Sequence, residues 1–235
     1  MPVVLPKPLK PFFTYFGGKW RVTKHYPIPN HNTVIEPFCG SAGYSLHYHN
    51  RRIHLYDVDP IVCSVWNYLI RVKISEILQL PLVITDLRRM KLPQEAKWLI
   101  GFWLNKGTSS PRNMPSSWAA SGKGCYWGET VRQRIAYQIG YIRHWRIFKG
   151  SYEDIENQDA TWFVDPPYQM SGVHYRHNKI DYFKLADWCR QRLGQVIVCE
   201  QHGAKWLPFQ ELRTIRTLDG AKGSKVSKEV IWRNS

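Results

Sequence analysis

The sequence predicts a doubly wound α/β fold built on a mostly parallel sheet. Short apolar runs rich in β-branched residues alternate with helical patterns along the 235 residues, as in repeated strand–helix units. Hydrophobic residues make up 43% of the chain, which is enough for one substantial core. Strands are predicted near 33–36, 53–56, 146–149, 162–164, 196–199, 212–217 and 226–232, and helices near 61–80 and 181–193.

The first predicted strand runs into a turn of small residues, 36–43, which reads Glu-Pro-Phe-Cys-Gly-Ser-Ala-Gly. Gly40 and Gly43 let the backbone turn tightly and approach a ligand closely, as in loops that bind nucleotide-type cofactors. The second predicted strand ends at Asp57, at the spacing from this turn where an acid binds ribose hydroxyls. Alternatively, Asp57 is a helix N-cap ahead of Pro60, and the two roles are compatible.

A third segment, 15–19, lies upstream and reads Tyr-Phe-Gly-Gly-Lys. Its paired glycines and its cation suit a loop that closes over the carboxylate of a cofactor. Such a short segment is also typical of a plain turn.

The tetrapeptide Asp165-Pro166-Pro167-Tyr168 follows the apolar run 161–164 and is the most informative feature of the chain. Because the prolines restrict the backbone, the Asp165 carboxylate and the Pro166 carbonyl point in fixed directions. Each can accept one hydrogen of a nucleobase amine while Tyr168 stacks on the ring. Standing alone, the tetrapeptide could equally be a strand-terminating turn.

The blocks at 15–19, 36–43 and 165–168, in this order along the chain, resemble the Dam-like family of DNA adenine-N6 methyltransferases, which use S-adenosylmethionine. The resemblance covers 12–43, 56–59 and 148–168, and more loosely the C-terminal third. It implies a Rossmann-like methyltransferase sheet with a target-recognition region between the cofactor half and the catalytic tetrapeptide.

Site residues follow from the resemblance position by position. The implied catalytic residues are Asp165, Pro166, Pro167 and Tyr168. The implied cofactor-binding residues are Tyr15, Gly17, Gly18, Lys19, Glu36, Pro37, Phe38, Gly40, Gly43, Asp57, Tyr152 and Asp165.

Three positions depart from the family pattern. Ala42 stands where a second glycine is usual, which is tolerable if its φ is negative. Ser151 replaces an acid that normally meets the cofactor amine, although Tyr152 is still able to cover the adenine ring. Glu200, after the strand at 196–199, replaces a small polar residue and receives no predicted role.

A basic segment is the predicted target-recognition region. The chain carries a formal charge of +15, and residues 86–150 contain 12 Lys and Arg against three acids, interleaved with tryptophans. Basic and aromatic side chains together suit nucleic acid, so double-stranded DNA is the expected partner. We predict a catalytic domain at 1–85 and 146–235 and an inserted region at 86–145, with DNA-binding residues Lys106, Arg112, Lys123, Arg132 and Arg134.

Two features organise this inserted region. Residues 105–126 have no apolar period, and we interpret them as a DNA-contacting loop or, alternatively, a plain insertion. Downstream, Val131, Ile135, Ile139 and Ile142 form a helical stripe, and such a helix is expected to expose Arg132, Arg134 and Arg143. Those arginines could equally be an ordinary solvated face.

Other functions remain open at this stage. The same chemistry on a cytosine N4 amine or an RNA adenine is one alternative, and an inactive DNA-binding regulator on the same fold is another. The scattered cysteines and histidines favour neither disulfides nor a metal site. No apolar run has the length of a signal peptide or membrane span, so a cytoplasmic protein is expected, with a restriction endonuclease as a candidate partner.

Overall fold

The structure, a computed structural model, describes residues 6–105, 107–117, 126–171, 175–219 and 223–234, with side chains outside 213–228. Within these residues the strands are β1 Thr33–Glu36, β2 Arg52–Asp57, β3 Arg146–Lys149, β4 Ala160–Val164, β5 Gly194–Gln201, β6 Gln210–Asp219 and β7 Gly223–Arg233. The helices are α1 Pro60–Arg71, α2 Ile74–Leu78, α3 Gln94–Trp103, α4 Glu129–Gln138 and α5 Tyr182–Arg190.

One seven-stranded sheet organises the described part of the chain, in the order β3-β2-β1-β4-β5-β7-β6. Pairing is parallel from β3 to β5, whereas β7 runs antiparallel to both β5 and β6. The order reverses between β1 and β4, which places a topological switch point, and the usual ligand crevice, beyond their carboxyl ends. This confirms the predicted Rossmann-like, doubly wound α/β sheet, and each of the seven predicted strands is present.

The central strand β4 is buried on both faces of the sheet, which explains why it reads as a nearly continuous apolar run. Side chains alternate between two hydrophobic clusters: Val34 and Phe163 face one, whereas Ile35 and Trp162 face the other. Helices α1, α3 and α4 cover the first cluster and α5 covers the second.

The predicted helix at 61–80 is interrupted. Helix α1 ends at Arg71, Val72 and Lys73 adopt extended dihedrals, and α2 begins at Ile74. Arg143, far along the chain, donates hydrogen bonds to the carbonyls of Ile70 and Val72. The helix break is therefore stabilised by a long-range contact, because these last carbonyls have no partner within the helix.

The inserted region shares the core of the sheet. Leu99 and Phe102 of α3 and Val131 and Ile135 of α4 belong to the same hydrophobic cluster as β1 and α1. The apolar stripe of the predicted helix is thus buried as expected. The assignment of 86–145 as a target-recognition region stays a prediction.

Candidate active site

A cavity of about 410 Å³ lies beyond the carboxyl ends of β1, β2 and β4, within the size range of small-molecule sites. It brings together the three blocks identified in the sequence. Among the predicted site residues, the lining contains Tyr15, Gly17, Gly18, Lys19, Glu36, Pro37, Phe38, Gly40, Gly43, Asp57, Tyr152, Asp165 and Pro167. Pro166 and Tyr168 are not among the lining residues.

The turn after β1 is fixed to the end of β2 and to α1. The Gly40 amide donates to Asp57 Oδ2 at 3.0 Å, and Trp66 Nε1 donates to the Gly40 carbonyl at 2.8 Å. Gly40 has a φ of +44°, which disfavours residues with a Cβ atom. The loop is therefore held in one shape by contacts from two neighbouring elements.

Ala42 does not meet the condition of a negative φ under which an alanine is easily tolerated at this position. Its φ is +51° and it is fully buried, so an L-residue with a side chain occupies the left-handed region. Such a conformation costs roughly 1–2 kcal/mol and persists only where the surroundings enforce it. The backbone at this position keeps the shape that glycine would adopt without strain.

Both carboxylate oxygens of Asp57 accept hydrogen bonds from backbone amides: Oδ2 from Gly40 in the turn, at 3.0 Å, and Oδ1 from Asp59, at 2.9 Å. The N-cap interpretation of Asp57 is wrong: Asp59 caps α1 by accepting from the Ile61 amide at 2.8 Å. Burial raises the pKa of Asp57 to about 6, against the lowering effect of its amide donors. Asp57 lines the cavity and is free to accept hydroxyl hydrogens with its remaining lone pairs.

The segment 15–19 packs directly on the turn 36–43. A Cβ atom on Gly43 would come within 2.6 Å of the Trp20 amide nitrogen and 2.9 Å of the Lys19 amide nitrogen. Only glycine permits this approach of the two backbones. The two loops therefore form one cradle at the cavity.

Lys19 pairs with the Asp165 carboxylate, whereas the sequence predicted a contact with a cofactor carboxylate. Its Nζ is 2.8 Å from Asp165 Oδ1 and donates to the Gly17 carbonyl at 2.9 Å. Burial lowers the pKa of Lys19, but Asp165 and Glu229 outweigh it and raise the pKa overall. Burial raises the pKa of Asp165 to about 6, with Lys19 opposing the shift.

The rest of the tetrapeptide is packed behind Asp165. Pro166 and Pro167 are buried, and the Pro167 carbonyl accepts from the Tyr182 hydroxyl at 2.7 Å. The Lys19 ammonium covers the Tyr168 ring at 4.5 Å from its centroid, and the Tyr168 hydroxyl donates to Glu229. Tyr168 therefore has Lys19 on one face of its ring and does not line the cavity, in contrast to the predicted stacking platform.

Residues 151–153 line the cavity after β3. Ser151 begins a short 3-10 turn, and its amide donates to Asp154 Oδ2 at 3.0 Å. Tyr152 packs against Phe38, with ring centroids 5.5 Å apart. Ser151 lacks the acid of the family pattern, but Glu153, two positions later, also lines the cavity.

Sequence reasoning missed three contributors. Glu200, fully buried, accepts from the Gln169 amide at 3.2 Å and Trp206 Nε1 at 3.0 Å, which fixes the chain after the tetrapeptide. Glu229 accepts a hydrogen bond from the Tyr168 hydroxyl. Residues 175–181 form one wall of the cavity, and within it the Tyr175 hydroxyl donates to the Phe16 carbonyl at 3.1 Å. The aromatic-basic run at 175–179 after the tetrapeptide was the available signal for that wall.

The cavity is acid-rich although the chain is strongly basic. Among its described lining residues, six are carboxylic acids and three are Lys or Arg. Burial raises the pKa of Glu36 to about 8, with the hydrogen bond from Ser45 opposing, so Glu36 is largely protonated at neutral pH. The remaining carboxylates suit a cationic ligand.

The predicted DNA-binding residues separate into three groups. Lys106 and Lys123 lie outside the described residues. Arg112 is exposed. Arg132 and Arg134 are partly buried, contrary to expectation: Arg132 donates to the Leu80 carbonyl at 2.8 Å and Arg134 to the Pro11 carbonyl at 3.2 Å. Arg143 is exposed as expected, although it also binds backbone carbonyls.

Within the described part of the chain, no group of three or more His, Cys, Asp or Glu side chains is arranged to hold a metal ion. The described cysteines, Cys39, Cys63, Cys189 and Cys199, are free and buried. None of the described helices has the length and apolarity needed to cross a membrane.

Comparisons with known proteins give weak similarities. No family model and no curated protein matches the chain. Among solved structures, the rRNA methyltransferase aviRa from Streptomyces viridochromogenes is 13% identical with a TM-score of 0.40, covering 99% of this chain and 90% of that chain. The glycopeptide N-methyltransferase MtfA, complexed with S-adenosylmethionine, is 10% identical with a TM-score of 0.35, covering 97% and 82%.

A conserved hypothetical protein from Streptococcus pyogenes is 11% identical with a TM-score of 0.37, covering 86% of each chain. Because identities and TM-scores are this low, the three similarities identify neither a family nor a substrate.

Proposed function

We propose that this protein transfers a methyl group from S-adenosylmethionine to the exocyclic N6 amine of an adenine in DNA. The observation that carries the proposal is the convergence of three sequence blocks on one cavity at the switch point of the sheet. Asp165, Asp57 and the glycine turn come from different strands, yet all line this cavity. A strand-terminating turn would not require the other two blocks beside it.

The cavity residues fit the proposed cofactor. Gly40 and Gly43 let the turn pack closely on Tyr15 and on the backbone of Lys19 and Trp20, and Asp57 offers acceptors to ribose hydroxyls. Tyr152 and Phe38 provide aromatic surface for the adenine ring. The acid-rich lining complements the positive charge of a sulfonium, which a neutral or anionic ligand would not need.

S-adenosylmethionine, when bound, supplies an electrophilic methyl group with a thioether as its leaving group. Asp165 accepts a hydrogen of the acceptor amine, which helps to turn the nitrogen lone pair out of the ring plane. Pro166 does not line the cavity and is given no contact with the amine. Asp165 then stabilises the positive charge that develops on the nitrogen and is positioned to receive its proton. Most of the rate enhancement comes from proximity and orientation.

Duplex DNA is the proposed substrate because the chain is strongly basic and exposes cations near the cavity. The formal charge of +15 favours a polyanion, and Arg112 with the rim residues Arg176 and Lys179 is exposed. A base reaches such a cavity only after it is flipped from the stack, at a cost of a few kcal/mol. The surface cations compensate by binding the flanking phosphates.

The test is to identify the methylated nucleoside. Purified protein is incubated with methyl-labelled S-adenosylmethionine and unmethylated duplex DNA, with RNA in parallel, and the digests are analysed by mass spectrometry. Labelled N6-methyladenine from DNA alone is the expected result. Labelled N4-methylcytosine would identify a cytosine amine as the acceptor, and label in RNA alone would identify RNA as the substrate. Cofactor binding without any transfer would favour an inactive DNA-binding regulator.

A further inference from the structure

A buried carboxylate on the reversed strand contacts the tetrapeptide from outside the cavity. Glu229 of β7 is 5% exposed and lies opposite Gln201 of β5. Its Oε1 accepts hydrogen bonds from the Tyr26 hydroxyl, at 2.6 Å, and from the Tyr168 hydroxyl. Burying a charged carboxylate is unfavourable unless partners compensate, and the roles proposed above give Glu229 no function.

Lys19 lies between Glu229 and Asp165. Its Nζ is 2.8 Å from Asp165 Oδ1 and 3.9 Å from Glu229 Oε1. Asp165 Oδ1 is buried and receives no well-directed hydrogen bond, so Lys19 attracts it mainly as a charge. One lysine is therefore shared by two carboxylates, and only one of them, Asp165, lines the cavity.

This sharing matters when an amine enters the site. Asp165 must then direct its acceptor lone pairs at the amine hydrogens, and its pairing with Lys19 weakens. A buried ammonium that loses its counter-ion is strongly destabilised. Glu229 is near enough to compensate Lys19 without entering the cavity.

We propose that Glu229 is a positioning residue for the transfer reaction: it fixes the Tyr168 hydroxyl and serves as counter-ion of Lys19 while Asp165 holds the acceptor amine. This inference rests on the proposed function, since it assigns Asp165 to the amine. The titratable groups that face this cluster are Lys19, Asp165, Tyr26, Tyr168, Tyr175, Cys199 and Glu200.

Glu229→Gln tests the proposal, because glutamine keeps an acceptor for the tyrosines but removes the charge. With unmethylated duplex DNA, we expect kcat to fall at least tenfold while KM for S-adenosylmethionine stays within twofold. Burial raises the pKa of Asp165, the Lys19 charge lowers it, and the Glu229 charge raises it further. Because the variant lacks the Glu229 charge, the pKa of Asp165 should fall and the acid limb of kcat should move to lower pH. A merely structural role would not move that limb.

Glu211 carries an exposed carboxylate on β6, so Glu211→Gln is the matched control and should change neither kcat nor the acid limb of its pH profile. Wild-type kcat and an unmoved limb in Glu229→Gln would overturn the inference and leave the proposed function standing. A wild-type chain that transfers no methyl group to DNA or RNA would overturn both.

A second pair of variants covers the case in which Glu229→Gln does not fold. Tyr168→Phe keeps the ring but removes the hydroxyl that reaches Glu229, and we expect a threefold or larger loss of kcat. Tyr44→Phe removes another buried hydroxyl, one bound to the Pro27 carbonyl at 2.8 Å, and should leave kcat unchanged. Equal kcat in Tyr168→Phe and the wild type would contradict the proposal.

Discussion

The cavity loops and the inserted region use their polar side chains in opposite ways. At the cavity, Asp57, Lys19 and Asp165 all line the same space, where Asp57 binds the Gly40 amide and Lys19 pairs with Asp165. In the inserted region, the partly buried Arg132 and Arg134 bind backbone carbonyls of residues outside it.

This difference shows which kinds of sequence signal carry over to the fold. A motif at a strand end predicts position, because the carboxyl ends of neighbouring parallel strands lie at one edge of the sheet. A count of basic residues predicts total charge but not how many cations are free, since guanidinium groups readily bind backbone carbonyls. Variants in the cavity loops and in the inserted region test this contrast, and those at the cavity should have the largest effects.

Asp165→Ala should have the largest effect. Loss of the carboxylate removes an acceptor for the amine and the group that stabilises its developing charge, so turnover should fall at least ~100-fold. Binding of S-adenosylmethionine and DNA should remain measurable by calorimetry and fluorescence anisotropy. Asp187→Ala, an exposed carboxylate on α5 that pairs with Arg190, is the control and should keep wild-type turnover. A fully active Asp165→Ala would remove the tetrapeptide from the reaction.

Gly43→Ala should damage the cradle itself. The new Cβ atom would meet the backbone nitrogens of Lys19 and Trp20, so one loop must move. We expect a loss of about 1–3 kcal/mol in the free energy of unfolding, and weaker S-adenosylmethionine binding by roughly tenfold, or ~1.4 kcal/mol. Gly140→Ala, where nothing lies within 4 Å of the new atom, is the control for urea unfolding and calorimetry. Equal behaviour of the two variants would argue against contact between the loops.

The fold was predictable from sequence further than the site was. Every strand was predicted near its observed position, and three strand ends carried the cavity motifs. What could not be predicted depends on contacts far apart in the chain. Arg143 stabilises the break after α1, and Glu229 ends a mostly polar stretch, 225–229, in which nothing indicates a buried carboxylate. The left-handed φ of Ala42 is enforced by the packing around it, not by its own type.

The pH dependence of the free energy of unfolding should reveal the raised pKa of Glu36. Its folded pKa of about 8 exceeds its ordinary value of 4.5, so the folded state holds an extra proton between these values. The free energy of unfolding should therefore fall as pH rises from about 4.5 to 8, by up to ~1.4 kcal/mol per pH unit. Glu36→Gln, measured by urea unfolding across this range, should lose that component of the slope.

Glu153→Gln is the control for this titration. Its carboxylate is partly exposed, and the hydrogen bond from Lys184 lowers its pKa, so its contribution changes only at lower pH. Parallel curves for the wild type and Glu36→Gln between pH 5 and 8 would show that Glu36 is already ionised in the cavity.

Two arginines of the inserted region should separate DNA binding from stability. Arg112→Ala should weaken DNA binding uniformly across sequences and reduce the salt slope of log K by about 1, because an exposed cation contacts phosphate. Arg134→Ala should instead lower the free energy of unfolding by about 1–2 kcal/mol, since it removes the Pro11 contact and the stacking over Trp103. A reduced salt slope in Arg134→Ala would show that this arginine also reaches the DNA.

Ala42→Gly should have the smallest effect because two terms oppose each other. Glycine relieves the left-handed strain at φ +51°, worth roughly 1–2 kcal/mol. It also removes a buried methyl, worth about 0.8 kcal/mol, and increases the entropy of the unfolded chain by about 0.5–1 kcal/mol. The free energy of unfolding should therefore change by less than about 1 kcal/mol. Stabilisation beyond that would mean that strain dominates at this turn, whereas a large loss would mean that the methyl group supports the loop that Asp57 holds.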